Sequence, residues 1–302
     1  ERCGRPAEFV VVEAGAGVGR LATHVLDFAA RALPAFYAAL RYTAVEQSAA
    51  RRAVHASALA AHIAAGRATS AADLPASIPA GCIFSNELLD ALPVHRLFCE
   101  HGELREIHVG LNGDLLCDQV GPLSSPSLEK YFSEQGIVLL EGQQAEASLA
   151  AAAWMEDAAR RLGRGFILTM DYGREARELY DEHHLRGTLL AYTRHRAGED
   201  FYAAPGEQDL TAHVNFTALD RAAARAACSR VGLASQSSFL LALGRANEFA
   251  DLYDEGQSEA ERIRARLHQK TLIFPEGMGE AFSVLIHTKG VADPSLTGMT
   301  PL

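Results

Sequence analysis

Three features of the sequence predict an α/β fold, a mostly parallel sheet with helices on both faces. A β-branched run at residues 9–14 (FVVVEA) ends in an alternating glycine turn, and an amphipathic segment follows. The same order recurs at residues 41–46 and 48–64, and buried strand patterns return at 82–86 and 165–171. Strands alternating with helical stretches imply parallel strands joined by crossover helices. Finally, 302 residues at 48% apolar and 22% charged composition suffice for a full hydrophobic core without disulfide or metal staples.

Each element follows from local pattern. Residues 9–14 are a short β-branched run closed by glycines, hence a buried strand. Residues 18–33 (VGRLATHVLDFAARAL) place apolar side chains at helical spacing, and Pro34 ends that helix. Residues 41–46 (RYTAVE) are a second strand, and the Ala-rich stretch 48–64 is a helix with Ser48 as its N-cap. A connection containing Ser, Pro and Gly at 66–81 leads to strand 82–86 (CIFSN), after which ELLDAL forms one or two helical turns before Pro93. The pattern then changes. Residues 94–120 read as two or three antiparallel strands with turns at His101-Gly102 and Asn112-Gly113. Residues 145–162 return to helix and 165–171 (GFILTMD) to strand. Residues 174–212 are polar, weakly periodic and rich in Gly, His and Tyr; so long a segment between regular elements is expected to be functional. A helix at 215–231, a strand at 238–243, a helix at 245–272 and a last strand at 281–288 complete the chain. Without repeats or linkers, the expectation is a single domain over 1–302 with insertions at about 94–140 and 174–212.

Composition excludes several classes. Asp plus Glu outnumber Lys plus Arg by 38 to 28, a net charge of −10, which argues against gripping nucleic-acid phosphates. No apolar run approaches the roughly 18–20 residues of a membrane helix, and no signal peptide is visible, so no membrane partner is expected. The cysteines, Cys3, Cys82, Cys99, Cys117 and Cys228, are scattered and form no CxxC pair. They read as reduced, buried small hydrophobes in a cytoplasmic protein that binds no metal. Lys130, Lys270 and Lys289 are the only lysines among 28 basic residues, a bias of GC-rich bacterial genomes.

The glycine turn is the first functional signal. Gly15-Ala16-Gly17-Val18-Gly19 joins strand to helix, so a ligand can approach the backbone closely and meet free N–H groups at the helix start. The dinucleotide fingerprint GxGxxG requires glycine at position 20, where Arg20 stands. The form present, Glu13-x-Gly15-x-Gly17-x-Gly19, is similar to motif I of methyltransferases that use S-adenosylmethionine (SAM). Glu46 at the end of the second strand is placed to accept hydrogen bonds from both ribose hydroxyls. The third strand delivers Asn86, Glu87 and Asp90 to the same sheet edge, and a fourth strand end delivers Asp171-Tyr172-Gly173.

In order, VVEAGAGVGRLA, SNELLDALPVHR, LTMDYG, GTLLAYTRH, PGEQDLTAHVNFTAL and FLLALG resemble the MidA-like SAM-dependent methyltransferases over about residues 6–288. NELLDALP and QDLTAHVNF are more specific than the glycine turn. The resemblance implies a Rossmann-like class I methyltransferase fold: a mostly parallel seven-stranded sheet whose last strand runs antiparallel. It implies SAM held by Glu13, Gly15, Gly17 and Gly19, with Glu46 on the ribose and Asn86 near the methyl donor. The two insertions would form the substrate side. Members of that family carry a Gly-Asp-Phe-x-Thr element ahead of the glycine strand, whereas this sequence opens at Glu1, just before that strand. Because the family includes a mitochondrial complex I assembly factor that methylates arginine, the implied partner is an arginine-bearing protein; a homodimer is allowed.

A guanidinium stays charged at neutral pH, so a pocket that methylates it needs carboxylates to orient the fork and receive a proton. Glu87, Asp90 and Asp171 are the candidate acids, Glu87 and Asp90 sharing one face if ELLDAL is helical. Two histidines are further candidates for holding a proton: His195 in GTLLAYTRH, and His213, which a helix would orient against Asp209. The alternatives are methylation of another protein or a small molecule, and a non-catalytic assembly chaperone that keeps the fold.

Overall fold

The computed structural model describes residues 1–193, 196–249 and 258–301. They form two compact units. The first comprises Glu1–Glu87, Asp157–Met170 and Ala223–Leu302; the second comprises Leu88–Glu156 and Asp171–Ala222. The stretches 94–140 and 174–212, read from the sequence as insertions, both fall in the second unit.

The first unit is built on strands β1 (Phe9–Ala14), β2 (Leu40–Val45), β3 (Ala68–Ala71), β4 (Gly81–Asn86), β5 (Gly165–Arg174, in this unit as far as Met170), β6 (Ser229–Ser235) and β7 (Phe282–Lys289). Their order is β6-β7-β5-β4-β1-β2-β3. The pairs from β5 to β3 are parallel, and β7 is antiparallel to β6. This is the mixed, mostly parallel sheet the sequence predicts. An additional two-residue strand, Val214–Asn215, pairs with β5 off this path.

Helices cover the sheet through small and branched side chains. The helix Arg20–Ala32 buries Ala22, Leu26 and Ala29, one helical stripe, against Leu40, Tyr42 and Ala44 of β2. Full burial of Leu26 stabilises by about 1.5–3 kcal/mol. A separate cluster joins Cys3, Phe166, Val284 and Ile286. Cys3, Cys99 and Cys228 are buried and unpaired, while Cys82 and Cys117 are half-buried.

The second unit holds a four-stranded antiparallel sheet in the order Leu115–Gly121, Glu103–Asn112, His95–Glu100, Gln144–Ala147. A three-stranded antiparallel sheet combines Arg196–Gly198, Leu190–Thr193 and Asp209–Thr211. The turns expected at His101-Gly102 and Asn112-Gly113 join the strands as read, with His101, Gly102 and Gly113 in the left-handed region. Leu97, Leu128, Phe132 and Leu179 centre this unit's core.

Several elements differ from the sequence reading. Residues 238–243 are not a strand: Gln236–Ala246 is a helix whose N-cap Ser235 accepts from the Ser238 N–H. An apolar run as short as FLLAL fits either state, and the cap decides. The strand lies just before it, where β6 takes the end of the expected helix 215–231; the helix itself stops at Arg225. β3 lies inside the stretch read as a connection. The expected helix 145–162 begins instead as strand Gln144–Ala147 and turns helical at Leu149. Pro34 opens a second short helix, Pro34–Ala39, because proline suits the first helical turn. Within 245–272 the helix is Glu259–Ile273, and residues 250–257 lie outside the described residues. No helix among the described residues is long and apolar enough to cross a membrane.

Candidate active site

In the first unit, β1, β2 and β4 end together, with Ala14 opposite Val45 on one side and Ser85 on the other. Because the strands are parallel, Gly15, Glu46, Asn86 and Glu87 emerge at one carboxyl edge. In open α/β sheets this is the edge where ligands bind.

The glycine turn is tied to the sheet by its own backbone. The Gly15 and Ala16 N–H groups donate to the Val45 carbonyl at 3.0 and 2.9 Å. Gly15, Gly17 and Gly19 have φ of 77°, 56° and 83°, a left-handed sequence that side chains disfavour. A Cβ at Gly17 would meet no atom within 4 Å, so the turn leaves open space above its central residue. Glu46, 8% exposed, closes the other side. Its Oε2 accepts from the Gly17 N–H at 2.9 Å and its Oε1 from the Ser48 N–H at 2.8 Å. Each carboxylate oxygen has a further lone pair, so Glu46 can hold the turn and still accept from ribose hydroxyls. An open glycine turn beside a carboxylate at the next strand end fits the ribose and amino-acid parts of SAM.

Glu13, counted among the cofactor contacts in the sequence reading, is 5% exposed, and its Oε2 accepts from the Tyr42 hydroxyl at 2.7 Å. Burial raises its pKa, with the Tyr42 hydrogen bond opposing.

Asn86 and Glu87 are exposed at the end of β4. Asn86 Nδ2 donates to Glu87 Oε1 at 3.2 Å, and the Glu87 N–H donates to the Met170 carbonyl at 3.0 Å. Glu87 adopts φ 51°, an uncommon backbone state for a residue other than glycine. Such strain concentrates at functional sites.

The helical turn expected for ELLDAL does not form. In the second unit, the N–H groups of Leu88, Leu89 and Asp90 instead converge on Asp171 Oδ2 at 3.3, 2.9 and 3.4 Å. The Tyr172 N–H donates to Oδ1 at 2.9 Å. A buried carboxylate requires donors, and the backbone at residues 88–90 supplies them in place of helix bonds. The helical argument for a Glu87/Asp90 clamp is therefore corrected. Asp171 is fully buried and Asp90 is 6% exposed. Burial first, then the Asp90 charge, raise the Asp171 pKa well above the ordinary carboxylate range.

His213, in the second unit, is half-buried, and its backbone N–H donates to Thr188 Oγ1 at 3.0 Å. Burial lowers its pKa, with Arg174 and His184 adding to the effect. Asp209–Thr211 is a strand, which removes the helical pairing of Asp209 with His213. His213 lines a cavity of about 490 Å³ with Arg96, Glu146, His184, Thr188 and Phe201. His195 lies outside the described residues.

Sequence reasoning missed His55. It sits fully buried on the helix Ala49–Ala58, with Nε2 2.9 Å from the Gly17 carbonyl and Nδ1 2.8 Å from Ser70 Oγ. A lone histidine in an Ala-rich helix gave no signal of these partners.

A family model described as "Putative S-adenosyl-L-methionine-dependent methyltransferase" matches residues 1–234. The human mitochondrial protein arginine methyltransferase NDUFAF7 is 26% identical over 213 residues, 68% of this chain and 45% of that protein. The chain thus spans less than half the length of that relative. A crystal structure of a superfamily member from Burkholderia thailandensis, bound to S-adenosyl-homocysteine, superposes with a TM-score of 0.86 at 28% identity, covering 99% of this chain and 76% of the other. A native structure of a protein of that superfamily, also from Burkholderia thailandensis, gives a TM-score of 0.85 at 30% identity over 98% and 78% of the two chains. The chain belongs to this family of SAM-dependent methyltransferases, and SAM is the cofactor of that class.

Proposed function

We propose that the protein is a SAM-dependent methyltransferase acting on an arginine of a protein substrate. The observation that carries the methyltransferase reading is the open glycine turn with Glu46 bonded to Gly17 at the end of the next strand. The arginine reading is supported by the name of the human relative. An exposed carboxylate at the same sheet edge, Glu87, also favours it.

Bound SAM supplies a methyl group already activated by its sulfonium. The chain's task is alignment and charge. In this reading Gly15, Gly17, Gly19 and Glu46 hold the cofactor, and Glu13 supports β1 beneath the turn. Asn86 makes a polar contact near the methyl donor and orients Glu87. The Glu87 carboxylate pairs with the guanidinium fork and accepts the proton released as the methyl arrives. Asp171, buried, holds residues 88–90 in shape through their N–H groups. Residues 94–140 and 174–212, both in the second unit, are the candidate substrate-recognising segments.

The test is transfer of labelled methyl from SAM to a proteome, followed by acid hydrolysis. Label eluting as methylarginine supports the proposal. Label on another residue or on small molecules assigns a different acceptor, and no transfer favours a non-catalytic role. Glu87→Gln is expected to cut transfer about a hundred-fold or more while SAH affinity stays within a few-fold.

A further inference from the structure

The two backbone groups of Gly17 are held by two different side chains. Its N–H donates to Glu46 Oε2, and its carbonyl lies 2.9 Å from His55 Nε2. A carbonyl can only accept, so His55 must carry its proton on Nε2. Nδ1 is then the acceptor for the Ser70 hydroxyl at 2.8 Å. Ser70 belongs to β3, two strands from β1, so the contact runs from the sheet's edge strand through the imidazole to the glycine turn.

The same ring also limits the turn sterically. A Cβ at Gly19 would lie 3.2 Å from His55 Cδ2, so imidazole and turn are in close contact. Glu46 is braced in turn, because its own carbonyl accepts from Arg52 Nη1 at 2.7 Å, and Arg52 lies on the same helix as His55. One helix therefore reaches the central peptide of the turn twice, directly through His55 and indirectly through Arg52 and Glu46.

We propose that His55, seated on Ser70, is a positioning residue for the SAM site. By fixing the Gly17 carbonyl it sets the orientation of the turn's N–H groups before the cofactor arrives. Preorganisation of this kind raises affinity by removing the ordering cost of binding. His55 itself is fully buried. The inference rests on the reading that the glycine turn holds SAM.

The experiment uses the whole chain and S-adenosyl-homocysteine as the calorimetric probe, with thermal melting on every variant. His55→Ala is expected to weaken binding about three- to ten-fold, the loss of one hydrogen bond's net contribution. His55→Gln, whose amide N–H can donate to the same carbonyl, is expected to recover most of that loss. Gly17→Val separates the two readings. If it binds the probe like wild type, the assignment of the turn to SAM fails. If it abolishes binding while folded His55→Ala binds like wild type, the positioning role of His55 fails. Nitrogen-15 spectra of the wild-type imidazole provide a check that requires no variant. The Nε2–H tautomer is expected without ligand, and an Nδ1–H tautomer would overturn the proposal.

Discussion

At Gly17, φ is 56° and the space where a side chain would start is open. A β-branched residue there is both strained and intrusive. Gly17→Val is expected to leave the fold intact, destabilised by about 1–2 kcal/mol from left-handed strain, with no measurable SAH binding by calorimetry. Glu13 carries a different prediction. Its folded pKa is raised by burial above the ordinary 4.5, so the folded state binds its proton more tightly than the unfolded state does. The corresponding stability is fully present below pH 4.5 and is lost as pH rises through the raised value. Glu13→Gln keeps an acceptor for the Tyr42 hydroxyl and removes the buried charge. Its stability relative to wild type, measured by chemical denaturation, is expected to be greater at pH 7 than at pH 4. A constant difference across that range would contradict the assignment.

Among the elements, the loop at 187–189 depends on one buried carboxylate. Glu146 Oε2 accepts from the Thr188 N–H at 2.8 Å and from the Thr188 hydroxyl at 3.1 Å. Glu146→Ala strands both donors, and a cost of about 1–3 kcal/mol is expected, with faster hydrogen exchange at Thr188. The sequence shows how such elements differ in legibility. β1 and its glycine turn were readable because four β-branched or apolar residues and three glycines lie side by side. β3 was not, because ATSA has little strand character of its own and is held by pairing with β2. The NELLDA turn was misread as helical because what shapes it, Asp171, lies more than 80 residues away. His55 was silent for the same reason: its partners Gly17 and Ser70 are 38 and 15 residues distant. Local pattern located the glycine turn and the acid bonded to it, while long-range hydrogen bonds decided which carboxylates stay open.

At the scale of the whole molecule, the proposed function has the first unit bind a cofactor at the carboxyl edge of its sheet, with Glu87 exposed there for the acceptor. Burial separates the acids: Glu87 is open, whereas Asp90 and Asp171 are enclosed. Asp171→Asn places an amide where either Tyr172 or the residues 88–90 donate, so it is expected to lower the melting temperature and transfer rate together. Glu87→Gln is expected to lower transfer alone. The most direct test of the central claim is a crystal structure with S-adenosyl-homocysteine bound. The account predicts both ribose hydroxyls within hydrogen-bond distance of Glu46 and the ligand lying over Gly17. Ligand bound elsewhere, with Glu46 contacting only Gly17 and Ser48, would contradict it.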